Sequence, residues 1–293
     1  MRSLLQINDF RWKGTGLWLL KVAVMLGCIF YIGQALGNRS FEGFDWETLK
    51  TVRLWLLCMM VLILVPINWY LEVVKWRLCV EPLIQISYRQ ALWSVLRGLT
   101  LNWVVPFTLG DFIGRSLNLP KTKGTVRANL VNRFASLWIT LFMFGIASIF
   151  YWPDQRLLTT TGLALVMSVL VLAFFRDPTY RAKSKLKILL TSGLRYLVFG
   201  LQFGLLLFHF CPDIPLGVLV AGIPVVFLIR TLAPSVLGAL GVREAAVIWT
   251  FSAFTEPTAN LLIASLFLWL FNLVLPSLAG LLPVLAYRFK LSA

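Results

Sequence analysis

The sequence predicts an all-α integral membrane protein with about six full transmembrane helices and two re-entrant, broken helical hairpins, arranged as an inverted repeat. Three observations lead there. Of the 293 residues, 59% are hydrophobic and only 13% are charged, where a soluble domain is about a quarter charged, and mean hydropathy is +0.83. Several apolar runs reach about 20 residues, the length that crosses a bilayer as a helix. Two further apolar regions are interrupted by the similar strings PFTLGDFIGR (106–115) and PSVLGALGVR (234–243).

No stretch is polar enough, or long enough, for a separate soluble domain. The chain therefore reads as one polytopic membrane domain over 1–293. A net charge of +15 on a fold without a soluble basic face argues against nucleic acid. It fits cytoplasmic loops and anionic headgroups instead. Cys28, Cys58, Cys79 and Cys211 show no CxxC spacing, so they read as small buried hydrophobes rather than a metal site or disulfide framework. The first apolar run has no cleavage signal and is expected to stay as a helix.

Full spans are expected at about 16–37, 53–74, 133–152, 157–175, 188–210 and 259–287. Basic residues orient them. Arg2, Arg11 and Lys13 lie in the first tail, and Lys75, Arg77 and Arg89 in the loop after span two. Arg115, Lys121, Lys123 and Arg127 form a third group, Arg176 to Lys187 a fourth, and Arg288 and Lys290 lie in the last tail. Placing all of these in the cytoplasm puts both termini there. It closes only if 90–114 returns to the cytoplasmic side and 216–254 returns to the outer side. Trp12, Trp46 and Trp152 fall at span ends, as interfacial aromatics do.

The two interrupted strings share P-x-x-L-G-x-x-x-x-R, pairing Pro106 with Pro234, Leu109 with Leu237, Gly110 with Gly238 and Arg115 with Arg243. Two spans precede each break and one follows it. The chain thus divides into units of about 1–153 and 154–293, and three spans per unit turn the second upside down. Backbone that leaves a helix within hydrocarbon is tolerated only against protein or a water-filled cavity. Gly98, Pro106, Gly110, Pro234, Gly238 and Gly241 are the expected hairpin-breaking residues. Free N–H groups at helix starts, together with arginine, suit phosphate.

Arg97, Asn102, Asp111, Arg115, Arg230, Arg243 and Glu244 are the candidate headgroup-binding residues, because ionisable groups inside a membrane segment are functional by default. Asp111 and Glu244 also suit pairing with the arginines. Arg97 and Arg230 also suit interfacial snorkelling. Arg133 and Arg195 begin or interrupt spans, Gln202 and Asn272 suit interhelical hydrogen bonds, and Glu72 suits a local ion pair with Lys75. The single histidine, His209, suits a structural role. No nucleotide-binding, hydrolase or kinase signature is present, so no catalytic residue, metal or cofactor is expected.

The strings EVVKWRLCV (72–80), RGLTLNWVVPFTLGDFIGR (97–115) and RTLAPSVLGALGVREAAV (230–247) resemble the lysylphosphatidylglycerol synthase transmembrane-region family of flippase-like membrane proteins. Gly98, Asn102, Pro106, Gly110, Asp111 and Arg115 match its first break, and Pro234, Gly238, Gly241, Arg243 and Glu244 its second. Ala239 departs from a frequent second glycine. The resemblance implies an eight-segment fold in the bacterial inner membrane that moves lipids between leaflets, and a link in some relatives to polyprenyl-phosphate sugars. Without the soluble aminoacyltransferase domain of fused members, lysyl-lipid synthesis is not expected.

The leading reading is a flippase or scramblase-like transporter of an anionic phospholipid or polyprenyl-phosphate-linked lipid. A second is a non-transporting partner of a glycosyltransferase or other lipid-modifying enzyme. A third is a membrane transferase using Asp111 and Glu244. A homodimer is compatible with all three.

Overall fold

In a computed structural model of the chain, the described residues are 19, 22–37, 46–104, 109–117, 123–151, 162–163, 166–171, 174, 176–233, 240–282 and 284. Among them there is no strand. The helices are α1 (Val22–Leu36), α2 (Val52–Val80), α3 (Tyr88–Val104), α4 (Leu109–Ser116), α5 (Lys123–Tyr151), α6 (Ala182–Phe210), α7 (Leu216–Leu232), α8 (Val242–Phe251) and α9 (Thr258–Ala279). Described residues between 162 and 174 are helical too.

Among the described residues, four helices are long and apolar enough to cross a membrane: α2, α5 over Gly124–Ile149, α6 and α9. They answer four of the six expected spans. Of the other two, the span at 16–37 contains α1, and the span at 157–175 falls partly outside the described residues. Both expected hairpins consist of two short helices. The 17 residues of α3 and of α7 extend about 26 Å, and the eight of α4 about 12 Å, both short of the roughly 30 Å hydrocarbon core.

The helices outrun the expected spans at their basic ends. Lys75 and Arg77 belong to α2, Arg89 to α3, Arg115 to α4, Lys123 and Arg127 to α5, and Lys183, Lys185 and Lys187 to α6. None of these nine is in a loop. Lysine and arginine are good helix formers, and the backbone hydrogen-bond ladder does not stop where charge begins. Of the fourth group, Arg176 and Arg181 lie before the start of α6, Arg181 as its N-cap.

Side-chain alternation explains the packing. Along α2 the buried positions Leu54, Cys58, Val61, Val65, Asn68, Glu72, Lys75 and Cys79 recur every three or four residues, the spacing of one helix face. The opposite face leaves Trp55, Met59, Ile63 and Ile67 exposed. On α6, Leu186, Leu190, Leu194, Leu197 and Leu201 are exposed at the same spacing. Such apolar stripes suit lipid, not water. Thr51 caps α2, its hydroxyl accepting from the Leu54 N–H at 3.3 Å.

Two apolar clusters form the core. One joins α2 up to Val65 with α6, α7, α8 and α9 around Phe203, Phe227, Phe251 and Leu268. The other joins α2 from Val73 onward with α3, α5 and the start of α6 around Trp76, Val95, Ala135 and Ile188. Asn68 and Glu72 lie on α2 between them, so a polar layer separates two greasy ones.

Candidate site: a buried charge cluster on the first hairpin

Glu72 is the centre. Its carboxylate is 3% exposed and lies 2.8 Å from Lys75 Nζ, 2.9 Å from an Arg115 terminal nitrogen and 3.3 Å from Arg195 Nε. Asn132 Nδ2 donates to it at 3.2 Å. These partners come from α2, α4, α5 and α6, so one carboxylate ties four helices. Glu72 is eight residues from the end of α2, about 12 Å along its axis. The Lys75–Glu72 pair expected from the sequence is present, as one spoke of a larger hub. Lys75 also donates to Ser136 Oγ at 2.7 Å.

Arg115 links the hub to the hairpin. Its Nε donates to Asp111 Oδ1 at 2.6 Å, and its guanidinium stands over the Trp76 ring at 5.2 Å. Trp76 Nε1 donates to Ser94 Oγ at 3.1 Å, and Ser94 Oγ donates to the Arg115 carbonyl at 2.6 Å. The second Arg115 terminal nitrogen is buried with no hydrogen-bond partner among the described residues. Asp111 also faces Arg133 at 3.3 Å. The buried and half-buried cations Lys75, Arg115 and Arg195 face Glu72 and Asp111, a surplus of one positive charge among the described residues, while Arg133, 42% exposed, meets Asp111 at the edge. In low dielectric an uncompensated charge is costly, so the cluster is electrostatically suited to an anion.

Close backbone approach sets this geometry. A Cβ on Gly98 would lie 2.6 Å from Asp111 Oδ1, one on Gly110 2.2 Å from the Leu101 carbonyl oxygen, and one on Gly114 2.4 Å from the Gly98 nitrogen. Gly98 and Gly110 therefore do not break the hairpin as expected. Both lie inside helices, where lacking a side chain lets α3 and α4 pack backbone to backbone. Pro106, Pro234 and Gly238 lie outside the described residues.

Arg97 is 3% exposed, and its Nε donates to the Trp93 carbonyl at 3.0 Å, so it does not snorkel. At the end of α3, Asn102 Oδ1 and Trp103 Nε1 are buried without a partner among the described residues, as is Trp269 Nε1 on α9. Trp103 and Trp269 have ring centroids 5.5 Å apart. Nearby, α9 contains a π-helical stretch at Leu270–Val274, a feature frequent at functional sites. There the Asn272 carbonyl accepts from Trp69 Nε1 at 3.2 Å and its side chain from Asn68 Nδ2 at 3.0 Å, the interhelical role expected of Asn272. Gln202 likewise donates to the Val61 carbonyl at 3.0 Å.

The second hairpin is built differently. Gly241 has φ +86, a conformation glycine adopts freely, and its N–H donates to Glu244 Oε2 at 2.7 Å. Glu244 Oε1 accepts from Arg243 at 2.6 Å and from Ser265 Oγ at 3.0 Å, and Arg243 Nε donates to Ser265 Oγ at 2.8 Å. Arg243 and Glu244 close on each other, and the Gly241 N–H at the start of α8 is taken by the chain's own carboxylate. The motif pairing of Arg115 with Arg243 also fails at the level of the helix. Arg115 occupies the last turn of α4, whereas Arg243 begins α8, because the second break is longer.

Arg230 is near the end of α7, with its guanidinium 5.5 Å from the Phe199 ring centroid. It makes no hydrogen bond or ion pair among the described residues. Arg195 stands over Trp69 at 5.6 Å, one turn before Phe199 on α6.

The spanning helices, the lipid-facing stripes and the buried charge layer define a multi-pass helical membrane protein with an ionic centre. The family model for the lysylphosphatidylglycerol synthase TM region matches residues 18–191, and the chain belongs to that family. The match takes in the whole Glu72 hub except Arg195. Neither a curated protein nor a solved structure matches the chain.

Proposed function

We propose that the protein carries the anionic headgroup of a lipid between leaflets, as a flippase or scramblase, while the tails stay in the bilayer. The observation that carries this reading is the positive surplus around Glu72, where Lys75, Arg115 and Arg195 outnumber Glu72 and Asp111. A phosphate balances that charge, and arginine forks suit its oxygens. Membership of a family of lipid-linked membrane regions supports the same substrate class.

An inverted repeat provides the access. Its support is a correspondence of elements: α2 and α6 each have 29 residues, α3 and α7 each have 17, and a short helix then a span follow in both halves. Packing corresponds too, since α2 meets α5 as α6 meets α9, and α3 meets the end of α9 as α5 meets α7. In this reading the hairpins α3–α4 and α7–α8 are re-entrant from opposite faces, and the charge layer lies where they approach. The protein resides in a bacterial inner membrane with both termini cytoplasmic.

Reconstitution tests it. Purified protein in proteoliposomes should accelerate leaflet exchange of a fluorescent phosphatidylglycerol, phosphatidic acid or polyprenyl phosphate over protein-free vesicles. Exchange at the protein-free rate for all three overturns the proposal.

A further inference from the structure

The headgroup reading leaves open how much charge the substrate carries, and the middle of the bundle bears on that. Arg195 is 13 residues into α6 and Arg230 is 14 into α7, so each α-carbon is about 20 Å from the start of its helix. Phe199 is four residues after Arg195, on the same face, and Arg230 stands over its ring at 5.5 Å. The α6–α7 contact continues through Tyr196 and Phe227, with ring centroids 5.3 Å apart. Two arginines from neighbouring helices are thus held toward one side of α6. The charge of Arg230 is opposed by Arg243 and by Arg195, with Glu244 as the attractive neighbour.

Each of these cations has a restraint that an incoming anion can replace. Arg195 is 29% exposed and meets Glu72 through Nε at 3.3 Å, the longest of that carboxylate's three ion pairs. Among the described residues, Arg230 meets an aromatic face and no ion-pair partner. Arg243 is closed by Glu244 at 2.6 Å and has no such freedom. Adding Arg230, Arg243 and Glu244 to Lys75, Arg115, Arg195, Glu72 and Asp111 sets five cations against three carboxylates among the described residues, a surplus of two. A phosphodiester carries one negative charge and a phosphate monoester up to about two.

Resting on the headgroup-passage reading, we propose that Arg195 and Arg230 form a two-guanidinium clamp for a lipid headgroup with at least two negative charges, a phosphate monoester or diphosphate. Glu72 is the internal stand-in for that group: it holds Arg195 when the clamp is empty and yields it when phosphate arrives. Singly charged or cationic lipids leave the surplus unbalanced and are held less tightly.

The test is equilibrium lipid binding to the full chain in nanodiscs, read by native mass spectrometry. The probes are phosphatidic acid, phosphatidylglycerol and phosphatidylcholine with identical acyl chains, and inorganic phosphate as competitor. Wild-type protein should hold phosphatidic acid about tenfold more tightly than phosphatidylglycerol, the scale of one additional charge-assisted contact. Arg230→Gln should bring that ratio close to one. Because Arg230 has no ion pair to lose among the described residues, this variant should fold. Arg230→Lys, which keeps the charge without the fork, should fall between. Lys183→Gln, an exposed charge outside the clamp, should keep the wild-type ratio.

A wild-type ratio near one overturns the clamp, as does an unchanged ratio in Arg230→Gln. Displacement of bound lipid by inorganic phosphate overturns its assignment to a lipid. Binding is read without transport, so a chain that prefers phosphatidic acid but never moves it refutes the transport reading alone.

Discussion

Glu72→Gln is the most informative single change, since one atom is replaced at a point where four helices meet. The wild-type carboxylate lies within 2.8–3.3 Å of three cations and accepts from Asn132. The amide keeps one acceptor oxygen but turns an N–H₂ toward a cation, and the surplus of Lys75, Arg115 and Arg195 over the carboxylates rises from one charge to two. Removing one partner of a buried ionic group costs about 3–5 kcal/mol. At about 2–4 °C per kcal/mol for a chain approaching this size, the melting temperature should fall by about 6–20 °C. Fluorescence-detected size-exclusion after heating in a mild detergent measures it. Adding Lys75→Met, which removes one unbalanced cation, should restore part of the loss. A shift of under 1 °C in Glu72→Gln, or a double variant less stable than the single, would refute the hub.

The tight hairpin makes a sharper steric contrast. Gly114→Ala places a methyl 2.4 Å from the Gly98 nitrogen and should destabilise by about 1–3 kcal/mol, whereas Gly193→Ala, with Ile139 Cδ1 at 3.6 Å as its nearest neighbour, should be close to neutral in the same melting assay. Ser265→Ala leaves Arg243 Nε without its acceptor and should cost about 1–3 kcal/mol. Outside the spans, burial raises the Asp177 carboxyl, but the Thr179 N–H and Arg127 outweigh it and hold Asp177 below its ordinary value. The stability it contributes is therefore present above that ordinary value and lost as pH falls through the lowered one, so the melting difference between wild type and Asp177→Asn should shrink on acidification and stay flat from pH 6 to 8.

Much of the fold was legible because lipid imposes a simple rule of length and hydropathy. Four spans and both interrupted regions follow from apolar runs and from Pro and Gly. What misled was the treatment of Lys and Arg as loop markers. Lys75 and Arg115 are 1% and 6% exposed, because each found a carboxylate partner that composition does not reveal. Glu72 was readable only as the neighbour of Lys75. Its place at the hub is written in the stripe 54-58-61-65-68-72-75-79 of α2, which carries Asn68, Glu72 and Lys75 on the buried face. Arg195 and Ser265 gave no comparable signal, since their partners are more than 20 residues away. Within the motif at 234–243, Gly241 sits at a turn, and Arg243 pairs with the next residue, Glu244. The motif overstated the likeness of the two breaks, because four shared letters do not fix helical phase.

The central claim is that phosphate enters the bundle between α2, α4 and α6 and does not merely decorate its perimeter. A phospholipid with a photoactivatable diazirine beside its phosphate, equilibrated with the protein in nanodiscs, illuminated and mapped by peptide mass spectrometry, tests this directly. Adducts are expected at Trp69, Trp76 and Phe199, reduced in Arg115→Gln and Arg195→Gln. Adducts confined to the exposed face of α6, at Leu190, Leu194 and Leu201, and indifferent to both substitutions, would contradict it.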